Sequence, residues 1–161
     1  MKQFEIVTPI YQYSSIDELP KEFADLCMKA DMAARKAYAP YSKFRVGACV
    51  LLQNGETILG NNQENAAYPS GLCAERVALF YANANFPNEP VKAIAIMAYQ
   101  NGDQVALPIS PCGSCRQVIA ETQMRYNQKI TLLLFAKDRI YLIPDANSLL
   151  PLSFSKNDLG E

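Results

Sequence analysis

Five cysteines and no histidine set the chemistry open to this 161-residue chain. Without imidazole it lacks the commonest general base and metal ligand, and every Ser–His or Cys–His nucleophilic arrangement is excluded. Catalysis would have to run on carboxylates, thiolates, hydroxyls or a metal held by other groups. Three of the cysteines sit in two segments of similar layout, Gly71-Leu72-Cys73-Ala74-Glu75-Arg76 and Pro111-Cys112-Gly113-Ser114-Cys115-Arg116. In each, thiols stand where a loop gives way to a predicted helix. Unpaired backbone N–H groups and the positive end of the helix dipole favour the thiolate there. Three thiolates meeting at two such starts supply three corners of a tetrahedron, a donor set that suits zinc. The fourth corner would be left to water, as in catalytic sites; structural zinc sites are closed.

Glu75 follows Cys73 by two residues. Deep in a helix that spacing sets two side chains ~200° apart, but at the first turn both can reach a point ahead of the axis. Glu75 therefore reads as a carboxylate beside the open corner, the position of a proton shuttle. Zn²⁺ with three thiolates sums to a net negative charge, which weakens its power to acidify water. Arg76 beside Cys73, together with the two helix dipoles, is the expected offset.

The elements that must position these groups follow from the hydrophobic pattern. Residues 1–14 alternate weakly through Phe4 and Ile6 and predict a short strand or arm. Leu19, Phe23, Leu26, Ala30, Ala33 and Ala37 recur at helical spacing, predicting a helix over 17–38 ahead of Pro40. Residues 44–52 and 57–60, joined through Asn54-Gly55, read as a hairpin. A polar stretch over 61–72 leads into a helix at 73–83. A strand over 91–99 follows, closed by Asn101-Gly102, then a helix over 112–125 and strands over 130–136 and 139–143. A short helix is expected in the tail after Asp145. Strands alternating with helices, with a hairpin at each end, suggest a mixed sheet covered by helices on both faces. Residues 1–17 read as an arm ahead of one domain over 18–161.

Composition narrows the class. Half the residues are apolar and 19% charged, enough to build a core and too few charges for a disordered chain. Fifteen basic against 16 acidic residues leave a net charge of −1, without the basic surplus that phosphate-tracking proteins carry. No stretch approaches the ~20 apolar residues that span a bilayer. The N-terminus lacks the pattern of a secretion signal, and an odd cysteine count argues against a stapled secreted domain. The expected setting is a reduced cytoplasm, with no membrane or nucleic-acid partner. Cys27 falls in a helical pattern and Cys49 in a strand run, so both are expected to pack as small hydrophobes. A redox role for the C-x-x-C pair would leave Cys73 and Glu75 unexplained.

Four blocks together resemble the short, three-cysteine cytidine deaminases. They are Tyr41-Ser42-Lys43-Phe44-Arg45-Val46-Gly47-Ala48, Asn62-Gln63-Glu64-Asn65-Ala66-Ala67-Tyr68, Cys73-Ala74-Glu75-Arg76 and Pro111-Cys112-Gly113-Ser114-Cys115-Arg116-Gln117, in the matching order over about residues 18–160. The pairing of C-x-E with P-C-x-x-C is the zinc nucleobase-deaminase signature, here with cysteine as first ligand. The resemblance implies a three-layer α/β/α fold with a mixed central sheet. It implies one zinc per chain on Cys73, Cys112 and Cys115, with Glu75 as the proton-transfer group in converting cytidine or 2′-deoxycytidine to the uridine product and ammonia. Asn62 and Glu64 would hold the ribose 3′-hydroxyl, Phe44 would pack on the base and the Ala74 backbone would hold its polar edge. Tyr68 and Phe154 would reach a neighbouring subunit's site in a homotetramer. The resemblance does not decide between cytidine and deoxycytidine, and another small aminopyrimidine nucleoside such as blasticidin S is the alternative substrate. Asn61, Cys49 and Ser114 depart from common family residues at positions outside this set. Residues 1–17 have no counterpart in it.

Overall fold

The computed structural model describes residues 1–160 of the chain. The two most heavily buried elements are the strands β2 (Phe44–Leu52) and β4 (Val91–Gln100). Side chains alternate across a pleated strand, so each must satisfy both faces of the sheet. Ala48, Val50 and Leu52 of β2 and Ile94 and Ile96 of β4 form one core with α2 (Ala74–Asn85) and Ile119 of α3 (Gly113–Tyr126). Their neighbours Cys49, Leu51, Ala93, Ala95 and Met97 form the other core, against α1 (Lys21–Ala34). The molecule is thus a three-layer α/β/α sandwich.

The sheet order is β1 (Tyr11–Tyr13), β7 (Ile140–Ile143), β6 (Thr131–Phe135), β4, β2 and β3 (Thr57–Asn61), with β5 (Asp103–Gln104) pairing β4. The β4–β6 pair is parallel. Parallel neighbours need a long crossover, and α3 lies within this one. The remaining pairs are antiparallel, which makes the sheet mixed as the sequence predicts.

Two glycines set how closely the helices approach. A Cβ on Gly47 of β2 would stand 2.1 Å from the Ala30 carbonyl oxygen and 2.3 Å from the Ala34 nitrogen of α1. A Cβ on Gly60 of β3 would stand 2.4 Å from the Ala74 carbonyl and 2.6 Å from the Ala78 nitrogen of α2. Each helix rests directly on strand backbone, which only glycine allows. Gly60 matters more for the site, because Ala74 opens the helix that Cys73 and Glu75 share.

Most predicted elements are present, and three differ for identifiable reasons. The helix expected over 17–38 is split. A 3₁₀ turn at Ile16–Glu18 is capped by the Ser15 hydroxyl, which accepts from the Asp17 N–H at 3.1 Å. Pro20 then disfavours helical backbone at Leu19, and α1 starts at Lys21. Its end comes early because Tyr38 leaves to pair with the next segment. The Tyr38 N–H donates to the Asn62 carbonyl at 3.1 Å, and the Glu64 N–H donates to the Tyr38 carbonyl at 2.9 Å. In the arm, Phe4 and Ile6 are exposed, and the strand forms instead at Tyr11–Tyr13, added to the sheet edge beside β7. Asn101 and Gly102, with φ of 53° and 98°, turn β4 back into the short β5, which the hydrophobic pattern does not predict. Among the described residues no helix is long and apolar enough to cross a membrane.

Candidate active site

Two helix mouths face each other. Cys73 is the residue before α2, Cys112 the residue before α3, and neither side chain caps the backbone of its own helix. Both thiols are therefore available to each other and to Cys115, which is buried in the first turn of α3. The sulfurs of Cys73 and Cys112 are 3.8 Å apart and those of Cys112 and Cys115 3.5 Å apart. All three lie within 4.8 Å of one another. A tetrahedral zinc with bonds of ~2.3 Å to sulfur places its thiolates about 3.8 Å apart, so the trio has the size of a zinc ligand set.

The electrostatics point the same way. The Cys115 thiol donating to Cys73, reinforced by Arg76, holds Cys73 down to about 5. The same contact, together with burial, pushes Cys115 up. Three sulfurs this close cannot all ionise unaided, since like charges at this range repel. A soft divalent cation removes that conflict, and the donor set fits zinc. Arg76 sits where the sequence places it, its Nη2 3.6 Å from the Cys73 sulfur. Arg116 anchors the second mouth. Its Nε donates to the Pro111 carbonyl at 2.8 Å and its Nη1 to the Leu149 carbonyl at 2.9 Å.

The trio opens onto a cavity of about 610 Å³, whose wall includes Phe44, Asn62, Glu64, Tyr68, Ala74 and Glu75 as well as Cys73 and Cys112. That volume suits a small-molecule ligand. Glu75 is 4% exposed. Burial raises its carboxyl above the ordinary carboxylate value, and the nearby Cys73 thiolate adds to the rise. Ala74 is fully buried.

Asn62 and Glu64 are tied into the opposite wall. The Val46 N–H donates to Asn62 Oδ1 at 2.7 Å, and Asn62 Nδ2 donates to the Phe44 carbonyl at 2.9 Å. Glu64 accepts from the N–H groups of Tyr41 at 2.9 Å and Ser42 at 3.3 Å, and from the Ser42 hydroxyl. The Ser42 hydroxyl is the main reason its carboxyl is held below the usual range. Tyr68 is 86% exposed at the rim. Phe154 is 60% exposed and does not line this cavity; its carbonyl accepts from Gln117 Nε2 at 2.8 Å.

The geometry therefore gathers every residue singled out in the sequence except Phe154. It adds Ser42, Leu72, Ile109 and Ser110 to the lining. Ser42 was legible only as part of its block, because its bond to Glu64 spans 22 residues. Ile109 and Ser110 precede Pro111, and their one signal was adjacency to the second cysteine motif.

Comparison with known proteins agrees with this geometry. Residues 21–129 match the cytidine and deoxycytidylate deaminase zinc-binding region. A cytidine deaminase of Sporosarcina psychrophila is 40% identical over 135 residues, covering 84% of this chain and 93% of that protein. One from Halalkalibacterium halodurans is 46% identical over 96 residues, 60% of this chain and 68% of that protein. The crystal structure of cytidine deaminase from Burkholderia pseudomallei superposes with a TM-score of 0.67 at 39% identity, covering 81% of this chain and 97% of that one. This chain belongs to the zinc-binding cytidine and deoxycytidylate deaminase family.

Proposed function

We propose that the protein hydrolyses the exocyclic amino group of cytidine and 2′-deoxycytidine, giving the uridine nucleoside and ammonia. The observation that carries this reading is a buried carboxylate, Glu75, beside three clustered sulfurs, two of them on the wall of a cavity that Asn62 and Glu64 also line. Cys73, Cys112 and Cys115 would hold one zinc. When bound, the ion supplies a Lewis acid that makes water a nucleophile near neutral pH.

The chain's own groups do the rest. Glu75 accepts a proton from the attacking water and delivers it to the ring nitrogen. The amino-bearing carbon gains the water oxygen as a hydroxyl; Glu75 then carries that hydroxyl's proton to the amino nitrogen, the carbon–nitrogen bond breaks as the carbonyl forms, and ammonia leaves. Burial suits Glu75 to both halves of this transfer, since a shuttle works best with an affinity for protons near the operating pH. Asn62 has one further donor and one further acceptor position beyond those β2 takes. With the ionised Glu64 it receives the ribose 3′-hydroxyl. Phe44 packs on the base, and the Ala74 backbone meets its polar edge. Arg76 tempers the negative charge on Cys73.

Tyr68 and Phe154 are large exposed aromatics, as residues completing a neighbouring subunit's site would be in an isolated chain. We take the protein as a homotetramer, acting in pyrimidine salvage in the cytoplasm.

The deciding test mixes zinc-replete protein with cytidine and, separately, deoxycytidine, following ultraviolet absorbance and ammonia release. One ammonia per substrate lost is expected, and Glu75→Ala, with zinc retained, is expected to turn over about 10⁴-fold more slowly. Intact fold and zinc without turnover would overturn the pocket assignment.

A further inference from the structure

A second cavity of about 570 Å³ lies at the start of β2, lined by Arg35, Lys43, Arg45, Tyr99, Asn101 and Gly102. Its Tyr99 projects from β4 into the core on the α1 face, so it is separate from the cavity beside the cysteines. Three cations converge on it in a chain whose net charge is −1. Two of them are held in place. Arg35 donates its Nε to Asp31 at 3.0 Å and stacks 5.0 Å from the centre of the Tyr99 ring. Arg45 donates Nη1 to the Arg35 carbonyl at 3.1 Å.

Asp31 also accepts from the Tyr99 hydroxyl, so that carboxylate is engaged behind the cavity, and Asp103, on the adjoining strand, does not line it. Among the described residues the Nη2 of Arg45 and the Lys43 ammonium make no hydrogen bond to protein. Arg35 and Arg45 are exposed side chains, each tethered by one hydrogen bond, and paired guanidinium groups match the oxygens of a phosphate. Lys43 itself takes a left-handed backbone at φ 57°, unusual for a long side chain.

We propose that this cavity binds a small phosphorylated molecule, its phosphate held by Arg35, Arg45 and Lys43. A nucleic-acid backbone is the poorer match, because the cations ring one depression and form no stripe along the surface.

Calorimetric titration with inorganic pyrophosphate at low salt tests this without any reference to turnover, so it stands or falls apart from the deaminase reading. Millimolar or tighter binding is expected, weakening as salt rises. Arg45→Gln should weaken it about tenfold, the loss of one charge-assisted contact, and Lys43→Gln by a smaller factor. Lys92→Gln, the same charge change near the other end of β4, should leave it unaltered. Arg35→Gln also removes the partner of Asp31, so its result counts only with an unchanged melting temperature. No binding at 10 mM, or equal affinity in wild type, Arg45→Gln and Lys43→Gln, overturns the proposal. Displacement of pyrophosphate by a submicromolar single-stranded oligonucleotide overturns it in favour of a nucleic-acid surface.

Discussion

Cys27 and Cys49 meet on the α1 face of the sheet, while Cys73, Cys112 and Cys115 meet at the helix mouths served by the other face. The thiols are driven in opposite directions. Cys27 and Cys49 are fully buried among aliphatic neighbours, and burial pushes each up to about 12. Cys73, at a helix start, is drawn down to about 5 by the Cys115 thiol and Arg76. A cysteine on the side of a helix fills space. One at the end of a helix, where backbone N–H groups are unpaired, becomes a ligand.

The largest expected contrast comes from removing one sulfur from each set. Cys112→Ala should lose its zinc and all measurable deamination, whereas Cys27→Ala should keep one zinc per chain, measured by metal analysis after gel filtration. Cys27→Ala should instead cost about 1 kcal/mol in denaturant unfolding, the cavity left by one heavy atom. Zinc kept by Cys112→Ala would collapse the distinction.

The glycine pair sharpens it next. Gly60→Ala places a Cβ against the first turns of α2 and should shift the helix that begins beside Cys73. Turnover should fall at least tenfold, with a stability loss of about 1–3 kcal/mol. Gly47→Ala makes a still closer collision with α1, so it should cost at least as much stability but much less of the turnover of folded protein. Equal losses of activity would show that both helices position the site.

Glu64→Gln tests the opposite wall of the cavity. It removes the charge that Ser42 and two backbone N–H groups stabilise, and the nucleoside KM should rise by about tenfold or more with a smaller change in kcat. An unchanged KM would separate Glu64 from the ribose.

The smallest effect is one of pH. The folded values of Cys27 and Cys49 lie above those of unfolded thiols, near 9. Below pH 9 both states hold the proton and nothing is lost. From pH 9 to about 12 the unfolded chain ionises first, so stability should fall as pH rises. The drop should shrink in Cys27→Ala. At neutral pH after chelation, iodoacetamide should label Cys73 and spare Cys27 and Cys49 until the protein unfolds, as peptide mapping would show.

Much of this was legible before any fold was known. The hairpin over 44–52 and 57–60, the two site helices and the strand at 91–99 each had a periodic core and a punctuating turn, and each formed within a residue or two. The end of the helix expected over 17–38 was harder to read, because it depends on Tyr38 pairing with residues 62–64. The three-residue β1 owes its existence to the open edge of β7, and nothing in Phe4 or Ile6 indicated where pairing would begin.

The sequence by itself determined the donor types, their proximity to helix starts and the absence of any imidazole. It also determined the spacing of Cys112 and Cys115, which one helical turn brings together. Only the tertiary structure decided that Cys73 meets Cys112, 39 residues away, and that Glu64 is held by Ser42. It also decided that Phe154 stays outside its own chain's cavity and that Arg35, Lys43 and Arg45 share another. Local backbone geometry reaches about one turn along the chain. Contacts beyond that range exist because both faces of one sheet must be covered, and packing chooses which distant segments meet there.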